Sequence, residues 1–311
     1  MSEEAVGKYV SMMENSSKPA LRRALKNKAA DYWMLTKPEV NLLVVVSTLA
    51  GFYLGSAGPL RLGLLLNTLF GTFLVASGTA TLNEFMERGY DAQMRRTARR
   101  PLPAGRLQPS EALLFGLLLS AGGGVYLALT ANALASFLAL LTLGSYLLLY
   151  TPLKRKTPLC TVMGAFPGAM PPLIGWAAAR GSLSFEAWIL YLILFLWQFP
   201  HFTAIAWMYR NDYRRAGYLM LPPGDQAGRF MATQAAGFAL LLVPVSMLPA
   251  MLGHAGLVYL FGAVALGIGL LYYGVRLAIA RTNPLARRML LASVVYLPLL
   301  YGLLMANKLS V

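Results

Sequence analysis

Charged residues are scarce in this chain of 311 residues: they make up 13% of it, whereas hydrophobic residues make up 57%. A typical soluble domain contains about 25% charged residues. A soluble protein of this length keeps many residues near water, so its core is too small to hold this much apolar surface. Disorder is excluded as well, because disordered chains are poor in hydrophobic residues. The composition therefore predicts a membrane protein.

Cysteine is almost absent, and an apolar segment at the N-terminus is missing. The single cysteine, Cys160, excludes an internal disulfide and a cysteine-based zinc cluster. Residues 1–30 contain six basic residues but no apolar core of a signal peptide, and Glu3, Glu4 and Glu14 are unlike a mitochondrial transit peptide. We interpret residues 1–35 as a basic cytoplasmic tail, with an interfacial helix predicted over 19–32, followed by an intramembrane domain over 36–311.

Apolar runs long enough to cross a bilayer, roughly 17–25 residues each, are numerous in this chain. Glycines four residues apart, such as Gly51 with Gly55 and Gly164 with Gly168, predict places where two helices approach closely. The sequence predicts an all-α fold, a polytopic membrane helix bundle of about nine transmembrane helices. They are predicted at 38–57, 63–85, 110–129, 132–151, 159–178, 186–207, 231–251, 256–275 and 289–306.

Positive charge is distributed unevenly between the two sides of this bundle. The net charge is +15, from 27 Lys and Arg against 12 Asp and Glu. With a cytoplasmic tail, 24 of the 27 basic residues lie on the cytoplasmic side, and only Arg61, Arg180 and Lys308 lie outside. This asymmetry follows the positive-inside rule. We predict a protein of the prokaryotic cytoplasmic (inner) membrane, with its N-terminus in the cytoplasm and no nucleic acid partner.

A polar stripe lies at the inner end of the second predicted helix. Asn83, Glu87 and Asp91 are spaced four residues apart, so a helix places them on one face within about 80°. Mg²⁺ prefers a few carboxylates and completes its shell with water and phosphate oxygens. Arginines, whose planar forks match phosphate oxygens, follow the stripe directly. The pattern indicates a diphosphate site, although the arginines alone are equally typical of a cytoplasmic loop. These arginines are Arg88, Arg95, Arg96, Arg99, Arg100 and Arg106.

Two further polar segments emerge on the same side. His201 and Asp212 are eleven residues apart and share a face if the sixth predicted helix continues to Asp212. The loop after the fourth predicted helix contains Tyr150, Lys154 and Arg155, where Tyr150 and Lys154 can face one cavity. Each of these residues also has a plain structural interpretation, as a hydrogen-bonded histidine or a positive-inside charge.

The run from residue 83 to 106, NEFMERGYDAQMRRTARRPLPAGR, resembles the UbiA-type intramembrane prenyltransferases. Within them, the part MRRTARRPLPAG is similar to the heme O synthases (protoheme IX farnesyltransferases). The segments TKP at 36–38, YTPLKR at 150–155 and WQFPHF at 197–202 agree with this resemblance, which extends over about residues 36–306.

The resemblance implies a nine-helix bundle around a lipid-open cavity, closed by the cytoplasmic loops after helices 2 and 6. It implies that Asn83, Glu87 and Asp91 bind Mg²⁺ and diphosphate, and that Asp212, in a second motif, is a further metal ligand. Asn211 precedes Asp212 where the wider family has further acids. A second Mg²⁺ is therefore not assigned.

The activity implied is transfer of a farnesyl group from farnesyl diphosphate to a vinyl group of protoheme IX, with addition of water, to give heme O and diphosphate. Arg96, Arg100 and Lys154 would neutralise the departing diphosphate. Tyr150, Arg155 and His201 are candidates for binding heme or diphosphate. The partners implied are the two substrates, the lipid bilayer, and a downstream heme A synthase or oxidase assembly partner.

Two other functions remain open from the residues. One is a prenyltransferase acting on an aromatic quinone precursor, against which the RPLP run at 100–103 and the FPH segment at 199–201 argue. The other is a transporter, which typically has internal repeats and polar residues at the membrane midplane. Here the acids lie at helix ends on one side, which favours an enzyme.

Overall fold

The computed structural model describes residues 27–222, 224–225 and 227–309, and these residues are almost entirely helical. The described part of the predicted tail begins with helix α1 over 27–35, which overlaps the predicted interfacial helix. The rest of that prediction lies outside the described residues. An ion pair of 2.8 Å between Arg106 Nε and Asp31 Oδ1 holds α1 against the loop that precedes α4. The predicted boundary at residue 35 stays a prediction.

Eight helices of the described chain are long and apolar enough to cross a membrane. They are α2 (Pro38–Gly55), α3 (Leu62–Asp91), α4 (Pro109–Thr130), α5 (Ala133–Ser145) with its continuation to Leu153, α9 (Phe185–Met208), α11 (Arg229–Met251), α12 (Leu257–Ala280) and α13 (Asn283–Ala306). Short helices complete the order: α6 (Thr151–Leu153), α7 (Cys160–Gly168), α8 (Pro171–Arg180) and α10 (Arg210–Arg215).

The fifth predicted helix, at 159–178, is present as two short helices. Helix α7 ends at Gly168, and α8 begins at Pro171. Pro171 and Pro172 have no N–H to continue the hydrogen-bond ladder of α7, and their rings clash with the preceding turn. The prediction of about nine helices is therefore confirmed, with one of them interrupted at the level of the candidate cavity.

Helix α3 is longer than predicted and continues to Asp91. Its 30 residues measure about 45 Å at 1.5 Å per residue, whereas the apolar core of a bilayer is about 30 Å thick. The last turns of α3 therefore extend beyond the apolar core. The acidic stripe lies on these last turns.

Close packing between α2 and α8 brings two halves of the bundle together. A side-chain carbon on Gly51 would overlap the backbone of Pro172, and one on Gly175 would overlap the backbone of Thr48. Predicted close approach is confirmed at Gly51, as it is at Gly164, which faces the ring of Tyr150, and at Gly168, which faces Gln198. Small residues allow such contacts between membrane helices.

The helices form a bundle in which neighbours in sequence pack side by side. Helix α3 packs on α4, α11 on α12, and α12 on α13, while α2 and α13 both contact α9. The buried core between them contains Phe52, Leu173, Ile193, Tyr296 and Tyr301. Because successive membrane helices alternate in direction, the C-terminal ends of α3, α5 and α9 lie at the same end of the bundle.

Candidate active site

The acidic residues of α3 are buried at its C-terminal end. Asn83, Glu84, Glu87 and Asp91 are each at most 6% exposed. A buried carboxylate is costly unless it is paired or hydrogen-bonded. The structure therefore requires cations around this stripe, and α2, α6 and the loop after α3 provide them.

Each of these carboxylates meets at least one cation. Lys154 Nζ, just after α6, contacts Glu87 at 2.9 Å from Oε1 and 3.0 Å from Oε2. Arg100 donates to Asp91 Oδ2 at 2.7 Å and lies 3.5 Å from Glu84 Oε1. The Asp91–Arg100 pair bends the chain after α3 back over the acidic stripe, so a loop arginine lies inside the site.

Lys37, immediately before α2, connects this stripe to the apolar interior. Its Nζ lies 3.6 Å from Glu84 Oε1 and 3.3 Å from Asn83 Oδ1. The amide of Asn83 also donates to Glu87 Oε2 at 3.0 Å and to Thr151 Oγ1 at 3.2 Å. Asn83 therefore links α2, α3 and α6 through one side chain.

Burial and charge shift the pKa values of the cations in different directions. Burial, together with the charge of Arg100, lowers the pKa of Lys37 to about 8. Burial also disfavours the charged form of Lys154, but the Tyr150 phenol and the Glu87 carboxylate outweigh it and raise its pKa well above the usual value. Lys154 is therefore a permanent cation.

A π-helical segment, Tyr146–Tyr150, lies between α5 and α6. Such segments are frequent at functional sites because they insert one residue into a helix. Tyr146 and Tyr150 pack edge to face at 4.9 Å, and Lys154 Nζ lies 4.6 Å from the centre of the Tyr150 ring. The predicted placement of Tyr150 and Lys154 on one face agrees with this geometry.

The predicted shared face of His201 and Asp212 is wrong. Helix α9 ends at Met208, the backbone turns at Tyr209, and α10 begins at Arg210. This turn removes the helical register that would align the two side chains. His201 stays within the bundle, whereas Asp212 lies over the loop that follows α3.

Asp212 contacts that loop through the backbone. Its Oδ2 accepts a hydrogen bond from the N–H of Arg96 at 3.2 Å, and Arg215 pairs with its other oxygen. The guanidinium of Arg96 donates to Tyr213 Oη at 3.3 Å. The α10 region is therefore fastened to the segment between Asp91 and Arg100, as a cover over the acidic stripe.

An apolar cavity of about 290 Å³ opens beside the stripe, between α2, α3, α5, α7 and α9. Lys37, Tyr146 and Tyr150 lie at its polar end, and Thr72 and Val75 line it farther along α3. His201 lines the same cavity, stacks on Trp197 at 4.6 Å and hydrogen-bonds Ser293 Oγ through Nδ1 at 2.9 Å. The cavity is suited to a hydrocarbon chain with a charged end.

A second cavity, of about 480 Å³, lies on the other side of Glu87 and Thr151. Arg155 lines it and donates to Tyr90 Oη at 2.5 Å. Tyr218 also lines it, with a buried hydroxyl that has no hydrogen-bond partner among the described residues. Arg155 is therefore separated from the apolar cavity by the Glu87 and Lys154 pair.

The acidic residues at the end of α3 offer oxygen atoms, which a hard divalent cation prefers, but too few of them to form a complete metal site. Glu87 and Asp91 offer carboxylate oxygens on one face, and one oxygen of Glu84 is buried without a hydrogen-bond partner among the described residues. Within the described ranges, no three acidic, histidine or cysteine side chains come together as a metal site. Mg²⁺ accepts such a partial set, because it retains waters and binds substrate phosphates.

Sequence reasoning missed four residues of this cluster as members of the site. Lys37 and Thr151 belong to the TKP and YTPLKR segments, and Glu84 belongs to the run from 83 to 106, but the sequence assigns none of them a role. Tyr218 lies in none of the named segments. A lysine directly before an apolar helix is a usable signal, because a charge at that place needs a partner. Tyr218 follows a loop, and its position depends on tertiary structure.

Comparison with known proteins agrees with this arrangement. Residues 44–303 match the UbiA prenyltransferase family. Protoheme IX farnesyltransferase of Solibacter usitatus is 50% identical over 287 residues, covering 89% of this chain and 98% of that protein. Proteins of the same name are 47% identical in Salinibacter ruber (89% and 98% covered) and 44% identical in Koribacter versatilis (89% and 93% covered).

Solved structures have the same fold. A structure described as digeranylgeranylglyceryl phosphate synthase in membranes gives a TM-score of 0.74 at 20% identity, covering 90% of this chain and 98% of that one. A UbiA homologue from Archaeoglobus fulgidus bound to GPP and Mg²⁺ gives 0.60 at 13% identity, covering 88% and 99%. With the family match over 44–303, these findings show that the chain is an integral membrane protein and belongs to the UbiA prenyltransferase family.

Proposed function

We propose that this protein transfers the farnesyl group of farnesyl diphosphate to a vinyl group of protoheme IX and, with addition of water, produces heme O and diphosphate. The relatives named protoheme IX farnesyltransferase, which are up to 50% identical, support the substrates. We place the enzyme in the bacterial inner membrane with this site facing the cytoplasm, as the distribution of basic residues indicates.

One observation carries the proposal: an apolar cavity ends directly at the acid and cation cluster. Lys37 lines the cavity and contacts Asn83 and Glu84 at the same time. Tyr150 lines the cavity, and Lys154 lies over its ring. A prenyl diphosphate has the same division between an apolar tail and a charged head, so it fits across this boundary.

The diphosphate is assigned to the cations of this cluster, Arg96, Arg100, Lys154 and Lys37, because phosphate accepts charge-assisted hydrogen bonds from such groups. Arg100, Lys154 and Lys37 also contact the buried acids, so the diphosphate would compete with those acids for them. Glu87 and Asp91, with the amide oxygen of Asn83, are the residues that would hold Mg²⁺. When bound, Mg²⁺ supplies positive charge that stabilises the departing diphosphate. We propose that Asp212 holds the α10 region against the loop after α3 through the N–H of Arg96. Binding of metal by Asp212 is the alternative.

The carbon–oxygen bond of farnesyl diphosphate breaks with its electron pair on the diphosphate. Cations fixed around the leaving group stabilise the charge that develops there. The faces of Tyr146 and Tyr150 adjoin the cavity, and aromatic faces attract a cation such as the allylic farnesyl cation. The vinyl π electrons form the new bond, and water adds to the resulting cation and loses a proton.

His201, in the apolar cavity, and Arg155, in the second cavity, are two separate candidate contacts for the acceptor. His201 uses Nδ1 for Ser293, so its other ring nitrogen is oriented by that bond and can contact the porphyrin iron or a propionate. Arg155, in the second cavity, is a candidate partner for a propionate or for the leaving diphosphate. A heme A synthase or an oxidase assembly protein is the proposed recipient of the product.

The match to a prenyltransferase family argues against the transporter hypothesis. The hypothesis of an aromatic quinone precursor differs from our proposal only in the molecule that accepts the prenyl group, so analysis of the product distinguishes the two. The chain is expressed in a host without its own heme prenyltransferase, and membrane extracts are analysed by mass spectrometry. We expect heme O from the wild type and its loss with Asp91→Asn.

Asp225→Asn is the matched control, because Asp225 caps the start of α11 through the N–H groups of Phe230 and Met231, outside the site. We expect it to give heme O like the wild type. A prenylated quinone precursor without prenylated heme, from well-expressed wild type, would refute the proposed acceptor. Heme O from Asp91→Asn would remove Asp91 from the essential residues.

A further inference from the structure

A third cavity, of about 680 Å³, lies at the end of the bundle opposite the candidate active site. It is formed where α2, α8 and α13 end, where α9 begins, and at the turn after α11. Its polar lining consists of Tyr53, Trp176, Arg180, Glu186, His254 and Lys308. None of these residues takes part in the proposed prenyl transfer.

Two of the three basic residues predicted at this end of the bundle, Arg180 and Lys308, line the cavity, and Arg61 contacts the end of α8. Arg180 Nε donates to Gly55 O at 2.7 Å, and Lys308 Nζ donates to Ser56 O at 2.7 Å and Tyr53 O at 3.1 Å. Arg61 donates to Ala179 O at 3.2 Å. The basic side chains therefore cap the carbonyls at the ends of α2 and α8, where cations are stabilised by the helix dipole.

These contacts leave positive charge and donors unused. Among the described residues, neither Arg180 nor Lys308 forms an ion pair with a carboxylate. A guanidinium has five N–H donors, and the hydrogen bond to Gly55 occupies one of those of Arg180. Burial, and then the charge of Arg180, lowers the pKa of Lys308.

Trp176 provides a second, independent indication of a ligand. Its side chain lines the cavity and is 4% exposed, and its indole N–H has no hydrogen-bond partner in the described part of the chain. A buried donor without a partner is unfavourable. The Arg180 guanidinium lies 5.5 Å from the centre of the Trp176 ring, so this indole borders the cationic part of the cavity.

The acidic residue of the lining, Glu186, contacts His254 of the same cavity and Ser184. Glu186 Oε1 lies 3.6 Å from His254 Nε2, and its other oxygen accepts from Ser184. The remaining lining is apolar and includes Leu54, Leu190 and Leu304. The cavity thus combines a cationic, donor-rich part with an apolar part at the depth where lipid headgroups meet the acyl chains.

We propose that this cavity binds an anionic phospholipid of the leaflet opposite the candidate active site. The phosphate group accepts hydrogen bonds from Arg180, Lys308 and the Trp176 indole, and an acyl chain lies along the leucines. Arginine and lysine both recognise phosphate, the former through two parallel N–H donors. This site is independent of the proposed prenyl transfer.

The test uses the full chain in detergent, with lipid binding followed by native mass spectrometry and by thermal unfolding. The probes are phosphatidylglycerol, phosphatidylcholine and inorganic phosphate. We expect phosphatidylglycerol to bind at least fivefold more tightly than phosphatidylcholine and inorganic phosphate to have no measurable effect. Trp176→Phe keeps an aromatic side chain and removes the N–H. This variant and Arg180→Gln should each weaken binding of phosphatidylglycerol at least threefold.

Arg276→Gln is the matched control, because Arg276 on α12 bonds Tyr272 and does not line the cavity. It should bind phosphatidylglycerol like the wild type. Trp176→Phe decides the outcome if Arg180→Gln fails to fold. Equal binding of the two lipids, an equal effect of inorganic phosphate, or unchanged binding by Trp176→Phe would overturn the proposal.

Discussion

Charge at the candidate active site is arranged residue by residue. Glu84, Glu87 and Asp91 are buried, and each contacts a lysine or an arginine. Such pairs do not by themselves stabilise a protein strongly, because desolvation of both ions offsets their attraction. Their retention here is better explained by a substrate that replaces one partner of each pair. We therefore propose that these pairs keep the charged side chains in place for the diphosphate and its metal.

The pair of Glu87 and Lys154 allows stability and catalysis to be separated. Lys154→Met leaves the Glu87 carboxylate without its cation, so we expect a loss of about 3–5 kcal/mol of stability. The double variant Glu87→Gln with Lys154→Met removes both charges and should recover most of that loss. Both variants should lack prenyl-transfer activity. Thermal unfolding in detergent and product analysis measure the two effects; a double variant as unstable as the single one would contradict the pairing.

Binding of metal should depend on diphosphate, because no three metal-type side chains of the described chain come together. We expect Mg²⁺ alone to shift the unfolding temperature little, and Mg²⁺ with inorganic diphosphate to shift it clearly. A ligand at 100 times its dissociation constant adds about 2.7 kcal/mol. EDTA should abolish both the shift and turnover, and Asp91→Asn should lose the joint shift. A full shift with Mg²⁺ alone would indicate a preformed metal site.

At the scale of elements, irregular segments place the functional side chains. The break between α7 and α8 borders the apolar cavity, and the π-helical segment brings Tyr146, Tyr150 and Thr151 towards α3. The turn at Tyr209 places Asp212 over the loop after α3. Regular helices form the frame around these segments, and their packing depends on small residues.

Two glycines allow the helix packing to be tested with the same substitution. Gly51→Ala places a carbon against the backbone of Pro172, which cannot move away easily, so we expect a lower unfolding temperature. Gly122→Ala, on α4, meets no neighbouring atom and should be neutral or stabilise by roughly 0.5–1 kcal/mol, since glycine is unfavourable within a helix. Equal effects of the two substitutions on thermal unfolding would mean that α2 and α8 are not closely packed.

At the scale of the whole molecule, two polar ends are separated by an apolar bundle. One end has the acid and cation cluster, and the other has the cavity with Arg180 and Lys308. The uneven distribution of basic residues supports our proposal that the first end faces the cytoplasm. This orientation is a property of the full chain and requires a measurement on intact cells.

The single cysteine makes that measurement simple. Cys160 is buried, and we expect Cys160→Ser to give a background without reactive thiols. In it, Gly58→Cys, in the exposed loop between α2 and α3, should react with a membrane-impermeant thiol reagent on intact cells. Ala104→Cys, in the exposed loop before α4, should react only after the cells are opened. The reverse pattern would invert the proposed orientation.

Sequence alone determined the membrane class, the number of helices and the acidic stripe. These depend on local properties: apolar runs long enough for a bilayer, and a spacing of four residues that places Asn83, Glu87 and Asp91 on one helical face. The family resemblance rested on contiguous runs of residues, and the family match over 44–303 agrees with it. Local signals of this kind do not depend on how distant parts of the chain pack together.

Tertiary structure decided which charges meet. The contacts of Lys37 with Asn83 and of Lys154 with Glu87 join residues 46 and 67 positions apart, and no spacing rule predicts them. The wrong alignment of His201 with Asp212 has the same origin, because a turn at Tyr209 ends the helix that the alignment assumed. The cavity at Arg180 and Trp176 arises only where several helix ends converge, since its residues come from five separate parts of the chain.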